Sequence, residues 1–214
     1  MDLRIISVEA ICFLMSLTLF FQVKALSYLR WFPFFLLLTV VVEVGSWTFR
    51  KYLNLVLLYN LFTAFEFDFY LFTILLIIKS AKVKRIILYT ISVYSLLVIL
   101  NVSFVQIRHF HTITYSIGCL LVVAACIYYF FEIFQSPQSV HLTREPAFWI
   151  CSGLLFYYCC TFPLVGLWNQ FHGLPRVIHK NIKTILSLLN ILLYSLFSIA
   201  FLCRIHLRKP QLSQ

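Results

Sequence analysis

The sequence predicts an all-α integral membrane protein, in which one domain of residues 1–214 forms a bundle of seven transmembrane helices. Hydrophobic residues make up 62% of the chain and charged residues 11%, a balance that soluble globular domains do not have. The charges are separated by apolar runs of about 20 residues, the length of helix that crosses a ~30 Å hydrocarbon layer. These runs lack the period-two alternation of barrel strands, so helices are the structure that satisfies their backbone hydrogen bonds.

Seven apolar segments follow one another along the chain. We predict membrane spans at about 5–23, 31–49, 55–78, 86–105, 112–134, 147–167 and 184–203. The first span is not expected to be a cleaved signal peptide, because Asp2 balances Arg4 and no small-x-small pattern follows the run. The connections that delimit the spans carry charges, prolines or both: 24–30, 50–51, 79–85, 108–111, 135–146 and 168–183.

The distribution of Lys and Arg predicts the orientation of the bundle. Seven of these residues fall on the side of the amino terminus and ten on the other side, four of them in the single short connection 79–85. Because short basic loops remain in the cytoplasm, we predict an amino terminus outside and a cytoplasmic carboxyl terminus, in the inner (plasma) membrane.

The basic side of the bundle also suggests partners beyond the lipid bilayer itself. Clustered Lys and Arg next to a membrane attract anionic headgroups or the acidic segment of a membrane or cytoplasmic signalling partner. The net charge of +10 is explained by such flanking positions, so we expect no nucleic-acid partner. The residues that form this predicted cytoplasmic basic face are Lys79, Lys82, Lys84, Arg85, Arg208 and Lys209.

Ionisable and polar residues inside the spans are the candidate ligand or proton site, because burying them in hydrocarbon costs about 2.5–3.5 kcal/mol for a charge. The candidates are Glu43, Tyr59, Asn60, Glu66, Asp68, Asn101, Asn190 and Tyr194. By the predicted orientation Glu43, Asn60, Asn101 and Asn190 lie in the outer half of the membrane, which favours a shared polar pocket that opens outward. The alternative is interhelical hydrogen bonding, worth about 0.6 kcal/mol per contact.

Glu66 lies near the middle of the third span and is the most constrained of these residues. Helical spacing puts it on one polar stripe with Tyr59, Thr63 and Tyr70, whereas Asp68 points about 200° away. With no Lys or Arg at this depth, we predict that Tyr, Thr or Asn side chains hydrogen-bond Glu66 and that its neutral form predominates until a ligand supplies positive charge.

We predict neither a cofactor nor catalytic residues, since no cofactor or catalytic motif is present. Histidines at positions 109, 111, 172 and 179 fall in loops on the predicted outer side, where we expect contact with solvent or headgroups. Their spacing does not force three or four donors to converge, so the sequence predicts no metal site.

Three segments of the chain carry a family resemblance. The runs Leu58–Phe67, Trp149–Tyr157 and Leu189–Cys203 resemble a group of small uncharacterised seven-helix membrane proteins of Bacteroidota. The resemblance implies a bacterial inner-membrane protein, and its layout is similar to the membrane sensory domains found ahead of histidine kinases. We expect this chain to lack an output domain of its own.

Three functions are compatible with these observations. A sensory or interaction module fits an outward-opening polar pocket combined with a basic inner face. A small-solute or proton-coupled transporter or channel would use Glu66 and Asp68 as proton or cation sites. A lipid-modifying membrane enzyme would need a nucleophile or metal set, which the sequence does not reveal.

Overall fold

The computed structural model describes residues 3–19, 26–49, 51–52, 54–105, 110–135, 142–166 and 176–206. Within these ranges the regular structure is helical, without strands, so the all-helical class is confirmed. A π-helical turn, Asn101–Val105, continues the fourth helix, and a 3-10 turn, Leu142–Arg144, precedes the sixth. The helices are α1 Leu3–Leu17, α2 Phe32–Thr48, α3 Leu55–Ile77, α4 Ala81–Leu100, α5 Thr112–Phe134, α6 Pro146–Gly166 and α7 Arg176–His206.

Among the described residues, five helices are long and apolar enough to cross a membrane, which supports a membrane protein. Their spanning parts are Leu55–Ile77, Ala81–Val105, Thr112–Phe134, Pro146–Val165 and Lys180–Cys203. The apolar parts of α1 and α2 that the structure describes, Ile6–Leu17 and Phe32–Thr48, are shorter. Seven spans and the orientation of the termini therefore stay predictions.

Two helices extend well beyond the apolar ranges read from the sequence. α4 begins at Ala81 instead of 86, and α7 runs from Arg176 to His206 instead of 184–203. A charged residue marks where hydrocarbon becomes unfavourable, but Lys and Arg are good helix formers, so the helix continues past that point. The connection 79–85 is consequently mostly the first turn and a half of α4.

The helices pack as a chain of neighbours. α5 packs on α6, α6 on α7, α7 on α1 and α1 on α2, while α3 packs on α4 and α5. α2 and α3 touch each other less extensively. This arrangement surrounds α3 with helices on several sides, so the polar residues of α3 face different neighbours.

Aromatic side chains fill the centre of the bundle. The ring of Phe32 has edge contacts with Phe197 and Phe201 at centroid distances of 5.4 and 5.6 Å. Phe67, which is fully buried, lies 5.3 Å from Tyr115 and 5.0 Å from Tyr158. These rings join α2, α3, α5, α6 and α7 through edge and tilted contacts that add to the burial of their area.

Candidate functional site

Three glutamates from three different helices line one cavity of about 160 Å³. Glu9 comes from α1, Glu43 from α2 and Glu66 from α3, and α7 adds Asn190 and Tyr194. Tyr59, Thr63 and Tyr157 complete much of the polar wall. We call this the acidic cavity. Five of the eight predicted site residues line it: Glu43, Tyr59, Glu66, Asn190 and Tyr194.

Glu43 and Tyr59 line the acidic cavity where α2 ends and α3 begins. The Tyr59 hydroxyl donates to Glu43 Oε2 over 3.4 Å and lies 2.9 Å from Ser46 Oγ. Ser46 Oγ donates in turn to the Glu43 carbonyl at 2.8 Å. This hydrogen-bonded group links the end of α2 to the first turns of α3.

Glu66 lies deeper in the same cavity. It follows the start of α3 by 11 residues, about 17 Å of helix, whereas Glu43 precedes the end of α2 by five residues, about 8 Å. Tyr70, one turn further on, donates its hydroxyl to Glu66 Oε1 at 3.1 Å. The predicted tyrosine partner of Glu66 is therefore present, as the helical spacing of four residues requires.

A buried aromatic layer lies below Glu66, between the acidic cavity and the opposite end of the bundle. Tyr70 is fully buried, and its ring centroid is 5.3 Å from Phe35, 6.0 Å from Tyr158 and 6.1 Å from Phe197. The four rings come from α2, α3, α6 and α7. Their packing fills the bundle one turn beyond Glu66, on the side away from Glu43.

Glu9 belongs to the acidic cavity, although sequence reasoning did not assign it to the site. Its side chain is 3% exposed, and no described residue is hydrogen-bonded to its Oε2. The signal that indicates it is depth, since Glu9 and Glu43 both lie toward the same end of the bundle on neighbouring helices. A buried carboxylate oxygen without a donor is costly, which makes Glu9 a candidate contact for a ligand.

Asn60 and Asn101 do not line the acidic cavity; they join a separate polar cluster around His111. The His111 backbone N–H donates to Asn60 Oδ1 at 3.2 Å, and the Asn101 amide donates to Thr114 Oγ1 at 3.1 Å. The imidazole lies 2.6 Å from Thr63 Oγ1 through Nε2 and 2.7 Å from Thr114 Oγ1 through Nδ1. The single shared pocket expected for all four outer-half residues is thus divided in two.

The expectation that His111 is a solvent-facing or headgroup-facing loop residue is wrong. It immediately precedes α5, and its side chain is fully buried. Two threonine hydroxyls satisfy both ring nitrogens, which removes the penalty for burying an imidazole. Positions 109 and 172 and the side chain of residue 179 lie outside the described part of the chain.

The hydrogen bonds around His111 suit a neutral imidazole. Thr63 Oγ1 and Thr114 Oγ1 lie within hydrogen-bond distance of Nε2 and Nδ1, so one ring nitrogen donates and the other accepts. The Thr114 oxygen also accepts from the Asn101 amide at 3.1 Å. Burial lowers the pKa of His111 to about 4, which keeps this neutral arrangement at physiological pH. Because Thr63 also lines the acidic cavity, the His111 cluster supports one of its walls.

The structure places Asp68 on a different face of α3 from Glu66. Ser95 of α4 donates its hydroxyl to Asp68 Oδ2 at 2.7 Å, and Asp68 does not line the acidic cavity. Asp68 lines a second, larger and apolar depression between α2, α3 and α4. The two acids at mid-depth therefore face separate environments.

The predicted cytoplasmic basic face is partly described. Lys79, Lys82 and Arg85 are exposed, and Lys84 is half-buried. The other two residues of this face, Arg208 and Lys209, lie outside the described residues. The turn before α4 is held by Glu132 of α5, whose carboxylate accepts from the backbone N–H groups of residues 79 and 80 at 2.9 Å each. A carboxylate at a helix amino terminus is electrostatically favourable.

Within the described ranges, no group of three or more His, Cys, Asp or Glu side chains is arranged to hold a metal ion. The glutamates of the acidic cavity are therefore distributed around its wall instead of converging on a point. Comparison with protein-family models, with curated proteins and with solved structures finds no match to this chain.

Proposed function

We propose that the protein is a multi-pass inner-membrane sensory or interaction module that binds a small cation-bearing solute in the acidic cavity. The observation that carries the proposal is the arrangement of Glu9, Glu43 and Glu66 around one small polar cavity. The bacterial origin, seven spans and outward opening follow from the sequence predictions and belong to the same proposal.

The chemistry of the cavity wall favours a cation. Three carboxyl groups contribute to the wall, and the described residues that line it include no Lys or Arg. Neighbouring carboxylates repel one another, so a positive charge between them offsets both repulsion and desolvation. Tyr59, Asn190 and Tyr194 add hydrogen-bonding groups that orient a ligand.

The size of the cavity favours a small ligand such as a primary ammonium compound. Its volume of about 160 Å³ is below the ~300–1,000 Å³ of sites for drug-sized molecules. The distributed carboxyl groups suit an ammonium group, whose three N–H donors point in different directions, better than a metal ion that needs convergent ligands.

The aromatic layer below Glu66 supports binding rather than conduction. Tyr70, Phe35, Tyr158 and Phe197 fill the space through which a solute would pass. A proton-coupled transporter is the second candidate, because three carboxyl groups in one cavity can exchange protons with a solute; it would require this layer to open. No contact among the described residues favours a lipid-modifying enzyme.

The basic face is the surface of the proposed module that contacts other molecules at the membrane. Lys79, Lys82 and Arg85 are exposed around the start of α4, at the end of α3 opposite the acidic cavity. We propose that they contact anionic lipid or an acidic segment of a signalling partner. α3 connects the two ends, since it carries Glu66 and leads directly into the basic turn.

Reconstituted vesicles distinguish the two candidates. Radiolabelled methylammonium is added to proteoliposomes that contain the full chain, with empty liposomes as the control. A binding module gives saturable label that filtration retains in proportion to protein and that does not increase with internal volume. Label that accumulates in the lumen with time, and scales with vesicle volume, would contradict the sensory proposal and favour transport.

A further inference from the structure

The carboxyl groups of the acidic cavity lie at different levels along the bundle. Glu43 accepts from the Tyr59 hydroxyl at 3.4 Å, which places it beside the first turns of α3. Glu66 follows Tyr59 by seven residues, about 10 Å further along the same helix. Both glutamates line one cavity, although no three acids among the described residues converge as the ligands of a metal ion do. The cavity therefore presents two separated points of negative charge.

Glu9 of α1 adds a third acid that is close to both points. Its side chain lines the cavity, is 3% exposed, and has no hydrogen-bond donor for Oε2 among the described residues. It lies near enough to Glu43 and Glu66 to be repelled by the charge of each. The described wall contains no Lys or Arg, so a bound monocation leaves two of the three acids without a counter-charge. A ligand with two positive charges compensates the site more completely.

The wall of the acidic cavity combines its acids with apolar side chains. Phe62 comes three residues after Tyr59 and four before Glu66, and it lines the cavity together with Ile6 of α1. Neither side chain can hydrogen-bond an ammonium group, but both can pack against methylene groups. A bare metal or ammonium ion would leave them without a contact. Hydrocarbon between two cationic groups is complementary to an apolar wall between two acids.

We infer that the acidic cavity binds a short aliphatic diamine, with one ammonium group beside Glu43, the other beside Glu66 and the hydrocarbon chain along Phe62. This inference rests on the proposed function and narrows its ligand from an ammonium compound to a dication. The cavity volume of about 160 Å³ sets the length of the chain, because a water-sized group takes ~30 Å³ and about five such groups fill the space. A diamine with three carbon atoms, 1,3-diaminopropane, has about this size.

Butylamine is the matched comparison for this diamine. It has the same number of non-hydrogen atoms as 1,3-diaminopropane, and it carries a methyl group where the diamine carries its second ammonium group. Bound in the same way, butylamine would place that methyl group against one of the acids. The acid would then be desolvated without a counter-charge, which costs free energy. The two ligands therefore differ by one charge-assisted contact at one end of the cavity.

Isothermal titration calorimetry of the full chain in detergent, at neutral pH where both amines are protonated, tests the inference. We expect the dissociation constant of 1,3-diaminopropane to be about tenfold lower than that of butylamine, as one charge-assisted hydrogen bond would produce. The longer 1,6-diaminohexane should bind more weakly than 1,3-diaminopropane. Glu66→Gln should weaken binding of 1,3-diaminopropane by at least about tenfold. Asp68→Asn, which removes an acid on another face of α3, should keep the preference for the diamine.

Comparison of the amines on the unaltered protein keeps the test valid if Glu66→Gln does not fold. Butylamine or methylammonium that binds as tightly as 1,3-diaminopropane would overturn the inference and leave the proposed function standing. Failure of all these amines to bind would overturn the proposed function and the inference together. Binding of 1,3-diaminopropane that Glu66→Gln does not weaken would overturn the inference, because the second ammonium group would then lie elsewhere.

Discussion

Glu66 is half-buried near the middle of α3 and accepts a hydrogen bond from Tyr70, so substitutions at this position separate the effect of its charge from the effect of its packing. Glu66→Gln keeps an oxygen that accepts from the Tyr70 hydroxyl. Glu66→Leu leaves this fully buried hydroxyl without its acceptor, which we expect to destabilise the protein by about 1–3 kcal/mol more than Gln does. Thermal unfolding in detergent measures the difference. A Leu variant as stable as the Gln variant would show that the hydrogen bond contributes nothing.

His111 gives the protein a pH-dependent stability whose sign follows from its burial. Its folded pKa of about 4 is below the ordinary value of 6.5, so the unfolded chain takes up a proton that the folded protein does not. The contribution is complete above pH 6.5 and is lost as the pH falls toward 4. We expect the denaturation midpoint to drop more between pH 7 and pH 5 in the wild type than in His111→Gln, which stays neutral. Parallel curves for the two proteins would contradict this assignment.

The sequence predicts a hydrogen bond between two residues of one helix better than it predicts which residues of different helices form one site. The four-residue spacing of Glu66 and Tyr70 is enough to pair them, because they share one helix. Glu43 and Asn190 line the acidic cavity, whereas Asn60 and Asn101 join the cluster around His111. This division depends on which helices are neighbours, and the depth of a residue in the membrane does not indicate its neighbours. His111 could not be recognised as buried because its partners, Thr63 and Thr114, are ordinary helical residues whose contact across two helices leaves no sequence motif.

Gly118 shows why α5 approaches α3 and α4 closely. A Cβ atom at this position would lie 2.8 Å from Phe67 Cδ2 and 2.8 Å from the Tyr94 hydroxyl oxygen. Both side chains are buried, so they cannot move aside cheaply. We expect Gly118→Ala to lower the free energy of unfolding by about 1–3 kcal/mol.

Gly45→Ala is the matched control for this prediction. A Cβ atom at Gly45 meets nothing within 4 Å, and the helix propensity of Ala then favours stability by up to ~1 kcal/mol. Both variants are measured by chemical unfolding in the same detergent. Equal stability of the Gly118 and Gly45 variants would contradict the close approach of α5 to Phe67 and Tyr94.

The sequence predicts the presence of each helix better than it predicts the residues at which the helix begins and ends. The fifth predicted range, 112–134, coincides with α5, because His111 and Gln135 stand at sharp changes of composition. α4 and α7 begin before the membrane spans predicted at 86–105 and 184–203, since hydropathy reports the membrane boundary and not the hydrogen bonding of the backbone. The contacts of Glu132 with the turn before α4 show that a tertiary contact helps to set where that helix begins.

The orientation of the whole molecule rests on the basic residues of the turn before α4. If Lys79, Lys82, Lys84 and Arg85 are cytoplasmic, seven spans place the carboxyl terminus on the same side. Alkaline phosphatase fused after Gln214 should then be inactive, whereas a fluorescent protein that folds only in the cytoplasm should be bright. An active phosphatase would reverse the orientation and move the acidic cavity to the cytoplasmic side.

The arrangement of the helices around α3 could not be predicted from the sequence. Lipid-facing and core-facing surfaces are both apolar, so hydrophobic periodicity does not distinguish the neighbours of a membrane helix. Exposed Phe34 and buried Phe35 are adjacent in sequence and chemically identical, for example. The acidic cavity is a product of this unpredicted packing, because it requires α1, α2, α3 and α7 to meet.

The central claim is that Glu9, Glu43 and Glu66 act together on one small cation. Its most direct test is the thermal stability of the purified protein in methylammonium chloride against sodium chloride at equal ionic strength. A ligand that binds only the folded protein stabilises it by about 2.7 kcal/mol at 100 times its dissociation constant. We predict such a shift for the wild type and for Asp68→Asn, and its loss in Glu9→Gln, Glu43→Gln and Glu66→Gln. A shift that survives all three glutamate substitutions, or that disappears only in Asp68→Asn, would contradict the account.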